Sequence, residues 1–298
     1  MPWNRNTPTS HVRQTRGFIL WLILIVAGLA LWVGSSNQTA QAQQPSASTG
    51  LVLTVDGPIG PATMDYLNRG IEQAESGGAE LVVIRMDTPG GLMESMRGII
   101  KKMLASEVPV VTWVSPAGAR AASAGTYLLY GSHVAAMAPA THLGSATPVQ
   151  MGGLPGVDEP KPGDDRGQSE AGPDSGTTEN SETSTADKTA DKRRGKTAME
   201  RKVLEDAVSY IRGLAERHGR NADWAEQAVR EAVNLNAEDA LEKDVVDVVA
   251  VSLPDLMEQI HGRIVVMAGG ERTLNTEGIE LQRSDPDWRT ELLSVITD

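Results

Sequence analysis

Hydrophobic and polar positions follow two different periods in the first half of the chain, and this pattern predicts alternating strands and helices. Stretches rich in apolar residues at 51–57, 79–87 and 109–114 are typical of strands, and the continuous run Leu81–Ile84 fits a strand buried on both faces. Between them, at 62–75 and 89–104, apolar residues recur every three or four positions, as in amphipathic helices. Short connections between such elements require parallel strands. The sequence therefore predicts an α/β fold with a layered, mostly parallel sheet and surrounding helices.

Helical periodicity resumes after a long polar segment. Residues 151–197 contain no Ile and no aromatic residue and are dense in Gly, Pro, Ser, Thr and charged side chains. Such a segment cannot bury enough apolar surface to offset the entropy lost on ordering, so we expect a disordered insertion. Further helices are predicted from Met199 and from Ala222, and final strands at 264–266 and 278–281.

Residues 1–42 have the pattern of an export signal. Arginines without any acidic residue precede an apolar run at 17–34, and Ala40-Gln41-Ala42 offers a small-residue cleavage site. The run is long enough to be a signal peptide, cleaved after Ala42, or a retained N-terminal membrane anchor, and we favour cleavage. Either outcome places the following residues outside the cytoplasm, because the arginine-rich flank stays inside. We expect a membrane-associated, extracytoplasmic protein on the periplasmic face.

Composition excludes several classes of function. The formal net charge of -12 argues against a nucleic-acid partner, because nucleic-acid binding depends on clustered Lys and Arg. The absence of cysteine excludes disulfides, thiolate catalysis and Cys-ligated zinc.

Two turns of small residues follow predicted strands and precede predicted helices. The first, Asp87–Gly91 (DTPGG), leaves N–H groups unpaired at a helix N-terminus, where they can bind an oxyanion. The second, Ala121–Gly125 (AASAG), surrounds Ser123 with residues that let a carbonyl approach closely. A serine before a helix is more often a cap than a nucleophile. Together, however, the turns supply the nucleophile and the backbone donors that acyl transfer needs.

These motifs support a family resemblance. Strand, DTPGGL, helix and then PVVTWVSPAGARAASAGTYLLYGSHVAAMAPATHLGSATPV resemble the Clp-protease and crotonase superfold and, within it, the NfeD family of membrane-bound serine proteases, over about residues 50–250. The resemblance implies a linker at 43–50, a ClpP-like serine protease domain at 51–260, and a C-terminal extension at 261–298 that precedes the membrane region of longer members. It also implies Ser123 as the nucleophile and Gly90, Gly91 and Ala124 as the oxyanion hole.

The general base requires a separate argument, because a serine hydroxyl is a poor nucleophile until a neighbouring group accepts its proton. Aligning Ala138–Ala146 with the segment that carries the histidine of Clp protease puts Ala146 in the place of that histidine, which argues against a Ser-His-Asp triad. NfeD proteases resemble each other in using a lysine at the start of the helix after the variable loop, and Lys202 matches it. Such a lysine must be buried to lose its proton. The alternatives are His142, the less well placed His133, and the loop residues Lys188, Lys192 and Lys196.

The resemblance implies a serine endopeptidase with a Ser123–Lys202 dyad that needs no metal and no cofactor. Expected substrates are hydrophobic segments of membrane-associated, stomatin-like proteins, and the expected assembly is a homo-oligomer, a dimer. Five apolar residues are expected to line the cleft: Leu92, Met93, Met96, Leu128 and Met137. Two other functions stay open. One is a non-catalytic scaffold that binds stomatin-like membrane proteins in the same groove, and the other is a crotonase-like acyl-CoA enzyme, against which the export signal and the lack of a basic patch count.

Overall fold

A computed structural model describes residues 48–148 and 197–286, which belong to one compact unit. Its centre is a six-stranded sheet made of β1 (Thr49–Asp56), β2 (Leu81–Asp87), β3 (Val110–Val114), β5 (Val134–Met137), β8 (Val248–Val249) and β11 (Glu280–Ser284). The strands stand in the order β11-β1-β2-β3-β5-β8, and every neighbouring pair is parallel. The predicted α/β class with a mostly parallel sheet is confirmed.

Helices and two small sheets surround the central sheet. The helices are α1 (Pro61–Gly77), α2 (Met93–Ala105), α3 (Ala124–Gly131), α4 (Ala198–Arg217), α5 (Ala222–Arg230), α6 (Ala237–Glu242) and α7 (Leu253–Ile260). One small sheet joins β4 (Arg120–Ala122), β6 (His142–Gly144) and β7 (Asn234–Asn236), and the other pairs β9 (Ile264–Met267) with β10 (Gly270–Thr273).

The central sheet has an apolar cluster on each face, which explains its continuous apolar strands. In β2, Val82, Ile84 and Met86 belong to the cluster on the face covered by α1 to α4, whereas Leu81 and Val83 belong to the cluster on the other face, where α7 packs. Successive side chains of a strand point to opposite faces, so a strand buried on both sides must be apolar at every position.

The last strand of the central sheet corrects the expected domain boundary. β11 pairs with β1, in the register Thr49↔Glu280 to Leu53↔Ser284. The hydroxyl of Tyr66 in α1 donates a 2.6 Å hydrogen bond to the Ser284 carbonyl. The boundary expected at 260 was therefore wrong, because residues up to Ser284 complete the sheet of the same domain.

Three expectations fall outside the described residues. The signal or anchor at 1–42 and residues 43–47 of the linker expected at 43–50 lie there, as do all but the last residue of the insertion at 151–197. The expected end of the linker was wrong, because β1 begins at Thr49. Within 48–148 and 197–286, no helix is both long and apolar enough to cross a membrane.

Candidate active site

Ser123 stands at the N-terminal end of α3, yet it does not cap the helix. Its side chain makes no capping hydrogen bond, and its backbone has φ 51° and ψ -115°, a conformation that is strained for any residue but glycine. The Ser123 N–H donates to the Gly144 carbonyl (3.0 Å), and the Ser123 carbonyl accepts from the Thr126 N–H (3.0 Å). These hydrogen bonds hold a sharp strand-to-helix turn with a half-buried hydroxyl, as in a nucleophile elbow.

The hydroxyl of Thr126 reinforces this turn from below. Its Oγ1 lies 2.8 Å from the Ala121 carbonyl oxygen and 2.9 Å from that of Gly144, and it accepts a hydrogen bond from the Gly144 N–H (3.1 Å). Thr126 is fully buried, so these bonds are shielded from water. They join β4 to β6 beneath Ser123 and oppose relaxation of its strained backbone.

Both glycines of the DTPGG turn are required by close contacts. Gly90 has φ +122°, and a Cβ built on it would lie 2.7 Å from Ser123 Cβ and 3.2 Å from Ser123 Oγ. A Cβ on Gly91 would lie 2.2 Å from the carbonyl oxygen of Ile59. Side chains at these positions would collide with Ser123 or with the loop after β1, so only glycine lets the DTPGG turn approach Ser123.

The amides of the expected oxyanion hole differ in their availability. The Gly90 N–H donates to Thr88 Oγ1 (3.1 Å), so it is already engaged. The Gly91 N–H has no acceptor among the described residues. Ala124 is the first residue of α3, and helix geometry leaves its N–H without an intrahelical acceptor. Two of the three expected amides, those of Gly91 and Ala124, are therefore open to a ligand.

A cleft of about 450 Å³ opens beside Ser123. Three of the five apolar residues expected to line it, Leu92, Met93 and Met96, do so. Leu128 and Met137 do not line it, because both are fully buried in the core. The complete lining, mostly apolar, is Pro89, Gly91, Leu92, Met93, Met96, Ser123, Ala124, Tyr127, Ser145, Ala146, Thr147 and Pro148.

Lys202 lies in the second turn of α4 and is not among the residues that line the cleft. Its side chain is exposed among the described residues, where burial was expected of a lysine base. Asp206, one turn further along the same face, accepts a hydrogen bond from Arg97 of α2. The Arg97 guanidinium lies 4.2 Å from the centre of the Tyr210 ring, which stacks on Tyr127 at 6.2 Å between centroids. Asp206 and Tyr210 thus link α4 to α2 and α3, whereas the Lys202 side chain itself is exposed.

Neither candidate histidine, His133 or His142, lines the cleft or hydrogen-bonds to Ser123. His133 follows the far end of α3, about 12 Å along that helix from Ser123. Its Nδ1 accepts from the Val110 N–H (3.0 Å), and desolvation, aided by Arg217 and Arg220, lowers its pKa to about 4.

His142 is exposed and does not line the cleft. It pairs with Arg120 in the register of β4 and β6, two residues before the Gly144 carbonyl that binds Ser123. Ala146, which the sequence alignment matches to the histidine of Clp protease, does line the cleft. The alternatives Lys188, Lys192 and Lys196 are outside the described residues.

Comparison with known proteins decides the family. The family model described as NfeD1b, N-terminal domain, matches residues 50–159. A structure of the 1510-N membrane-bound stomatin-specific protease, a lysine-to-alanine variant with a substrate peptide, is 30% identical with a TM-score of 0.66, and the match covers 85% of this chain and 99% of that one. The chain belongs to the NfeD family.

Other NfeD relatives extend the comparison. The membrane-bound protease PH1510 of Pyrococcus horikoshii is 31% identical over 253 residues, which are 83% of this chain and 48% of that protein. Membrane protein NfeD1b of Bacillus subtilis is 30% identical over 136 residues, 46% of this chain and 29% of that protein. A serine-to-alanine variant of the 1510-N protease is 29% identical with a TM-score of 0.63, covering 81% of this chain and 100% of that one. The chain thus spans about half or less of the length of the curated relatives.

Sequence reasoning missed the residues that support the site. Thr88 bonds both the N–H and the carbonyl of Gly90, and Arg97 links α2 to α4. The only signal for Thr88 was its position directly before the PGG turn. Nothing local marked Arg97, since its partner lies 109 residues away in sequence.

Proposed function

We propose that this chain is a serine endopeptidase with Ser123 as its nucleophile. The observation that carries the proposal is the turn at Ser123, which is strained and does not cap α3, beside two amides that are open to a ligand. Structural strain of this kind is retained where a side chain must be presented to a substrate. A serine hydroxyl with two N–H donors available beside it has the groups that acyl transfer needs.

The proposed reaction proceeds through an acyl-enzyme. Ser123 Oγ attacks the scissile carbonyl carbon while Lys202 accepts the hydroxyl proton, and the amides of Gly91 and Ala124 bind the oxyanion. The peptide C–N bond then breaks as Lys202 returns the proton to the leaving amine. Water, deprotonated by Lys202, then attacks the ester carbonyl, and Lys202 returns this proton to Ser123 Oγ as the C–Oγ bond breaks and the acid is released. Gly90 acts through packing, since its N–H is held by Thr88.

Lys202 needs shielding from water, and we assign that role to the substrate. Met199 is 62% exposed, and Val203 is half-buried, on the turns of α4 that carry Lys202. A hydrophobic segment that covers these side chains would remove water from around the amine and favour its neutral form. The apolar cleft walls formed by Leu92, Met93 and Met96 suit the same kind of segment.

The relatives support the substrate class and the serine–lysine pair. The two structures of 1510-N variants are described as those of a stomatin-specific protease, and one of them is in complex with a substrate peptide. One variant replaces a serine with alanine, and the other replaces a lysine with alanine. By analogy, the substrate here is a hydrophobic segment of a stomatin-like membrane protein. Residues 1–42 would target the chain to the membrane, with the protease domain on the periplasmic face and acting as a homodimer.

The test measures kcat for hydrolysis of a peptide that contains a hydrophobic segment. Four variants of the full chain are compared with the unchanged chain. Ser123→Ala and Lys202→Ala should each lower kcat by at least about 1000-fold while leaving the circular dichroism spectrum unchanged. Ser76→Ala and Lys243→Ala remove exposed groups elsewhere and should leave kcat unchanged. A fluorophosphonate probe should label Ser123. Full activity in the Ser123 variant would exclude this nucleophile, and full activity in the Lys202 variant would exclude this base.

The exposure of Lys202 favours one alternative, a non-catalytic scaffold that binds stomatin-like segments in the same cleft. A scaffold would bind the hydrophobic peptide equally well after Ser123→Ala and would not react with the fluorophosphonate. Binding together with labelling and hydrolysis supports the enzyme, whereas binding alone supports the scaffold.

A further inference from the structure

Two acidic residues lie beside Lys202 on α4. Glu205 and Asp206 follow it by three and four positions, and side chains at these spacings are neighbours on a helix surface. A carboxylate in contact with a lysine stabilises the ammonium form, which cannot accept a proton. A lysine that serves as the base of the proposed peptidase must therefore avoid pairing with both of them.

Each of these carboxylates is instead bound by an arginine from another helix. Asp206 pairs with Arg97 of α2. Glu205 accepts two hydrogen bonds from Arg230 of α5, at 2.8 Å and 2.7 Å, an arrangement that matches the planar guanidinium fork. The hydrogen bond from Arg230 also holds the pKa of Glu205 below its ordinary value. Among the described residues, no acidic group forms an ion pair with Lys202.

We propose that Arg97 and Arg230 are positioning residues for Lys202, which hold the two neighbouring carboxylates and thereby keep the lysine amine free to exchange a proton with Ser123. Only the proton exchange with Ser123 rests on the proposed function, and the pairing of the two carboxylates with the arginines does not. The two arginines approach α4 from different helices, so each controls one carboxylate independently.

The acidic groups on the neighbouring helices α2 and α5 do not pair with Lys202 either. On α2, Glu94 is exposed and lies one turn before Arg97. On α5, Glu226 is bound by both Arg212 and Arg230. Removing Arg97 or Arg230 would therefore leave Asp206 or Glu205 without its partner from another helix, three or four residues from Lys202.

The first experiment measures the reactivity of Lys202 directly in the full chain. An amine-reactive acylating reagent is applied over a range of pH, and modification of Lys202 is quantified by mass spectrometry, with Lys243 as the internal reference. Arg97→Ala and Arg230→Ala should each raise the pH of half-maximal reactivity at Lys202 by about 0.3 unit, and the double variant by about 0.6 unit. The midpoint at Lys243 should not move.

Charge-removing variants and a matched control make the result specific. Asp206→Asn should restore the midpoint in the Arg97→Ala background, and Glu205→Gln should restore it in the Arg230→Ala background. Arg212→Ala breaks an ion pair of the same type between α4 and α5, but about 15 Å along the helix from Lys202, and should not shift the midpoint. Unshifted midpoints in the two arginine variants, a shift of equal size in Arg212→Ala, or failure of the rescue would overturn the proposal.

Peptide hydrolysis separates this proposal from the peptidase assignment. With an active enzyme, Arg97→Ala should move the acid limb of the kcat profile to higher pH, by the same amount as the labelling midpoint, and leave KM unchanged. Arg97 and Arg230 do not line the cleft, so a change in KM alone would contradict a positioning role. Because labelling needs no turnover, absence of hydrolysis refutes only the peptidase, and absence of a labelling shift refutes only the role of the arginines.

Discussion

Gly90 shows how a single residue without a side chain serves the site. Its φ of +122° excludes most residues, and the space where its Cβ would stand is occupied by Ser123. A positive φ and the lack of space for a Cβ are two separate reasons why a position requires glycine. At other glycines of the chain, only the positive φ applies. Gly118 has φ +89° with nothing within 4 Å of an added Cβ, so it provides a comparison in which contact is absent.

Gly90→Ala should cost about 1–3 kcal/mol of stability from backbone strain and should also displace Ser123. We expect kcat to fall by more than about 10-fold, because a misplaced nucleophile loses its alignment with the carbonyl. Gly118→Ala should show a comparable loss of stability and normal kcat. Urea unfolding and peptide hydrolysis of both variants provide the test, and equal activities would contradict the role assigned to the contact between Gly90 and Ser123.

At the scale of elements, α4 carries the proposed base, Lys202, and the first turns of this helix depend on their cap. Thr197 and Glu200 form a capping box, in which the Glu200 N–H donates to Thr197 Oγ1 (3.1 Å) and the Thr197 N–H donates to the Glu200 carboxylate (3.3 Å). Such a box satisfies two backbone donors that the helix itself cannot pair. Lys202 stands only two residues beyond Glu200, so fraying of this end would move the amine.

Thr197→Ala should cost about 1 kcal/mol of stability and lower kcat, because the turn that carries Lys202 loses its cap. Ser252→Ala is the matched control, since Ser252 caps α7 by accepting from the Asp255 N–H (3.3 Å) on the other face of the sheet. It should cost a similar amount and leave kcat unchanged. Thermal unfolding and hydrolysis are compared, and a Thr197 variant with normal kcat would show that fraying does not reach Lys202.

The predictability of the elements depended on their length. Strands β1, β2 and β3 and helices α1, α2 and α4 have long apolar patterns and were predicted nearly within their observed bounds. The three-residue strands β6 and β7 were missed, and β4 was anticipated only as a strand region before the AASAG turn, because three residues carry no readable period and their pairing is decided by distant partners. Yet β4 and β6 hold the turn at Ser123. The part of the fold closest to the chemistry was therefore the least predictable.

At the scale of the whole molecule, buried ionisable groups connect distant parts of the chain. Asp247 accepts hydrogen bonds from the Ala135 N–H (2.7 Å), Arg220 (2.6 Å) and Arg263 (2.8 Å). Burial opposes ionisation of Asp247, but the charge of Arg220 and these hydrogen bonds outweigh it and hold its pKa below the ordinary value. Its contribution to stability is present at neutral pH and is lost in acid.

A buried pair of histidines, His133 and His218, should also make stability depend on pH. Their rings meet edge to face at 5.7 Å. Desolvation, aided by nearby arginines, lowers the pKa of His133 to about 4 and that of His218 to about 3, below the ordinary 6.5. Between pH 6.5 and these lowered pKa values, the unfolded chain therefore binds more protons than the folded one. The stabilisation is fully present above about pH 6.5 and is lost as the pH falls toward 3.

We expect the free energy of unfolding to fall from pH 7 to pH 5, with a smaller fall in the double variant His133→Asn/His218→Gln. Urea unfolding at the two pH values measures the difference. His142→Ala, which removes an exposed imidazole outside this pair, is the control and should keep the full pH dependence. A double variant with the same dependence as the unchanged chain would show that other groups are responsible.

The sequence alone determined the layered parallel architecture and singled out the strand-to-helix turn at Ser123 as a candidate site. Both follow from local pattern, since a strand buried on two faces must be continuously apolar and a strand-to-helix turn crowded with small residues is readable within five positions. Only the tertiary structure decided that the Gly90 amide is engaged while that of Gly91 is open, and that Arg97 holds Asp206 beside Lys202. These facts arise from the way separate segments pack. Arg97 and Asp206 lie 109 residues apart in sequence, and the turn that holds Thr88 and Gly90 is bonded to Ile59 in the loop after β1, so no local pattern encodes these arrangements.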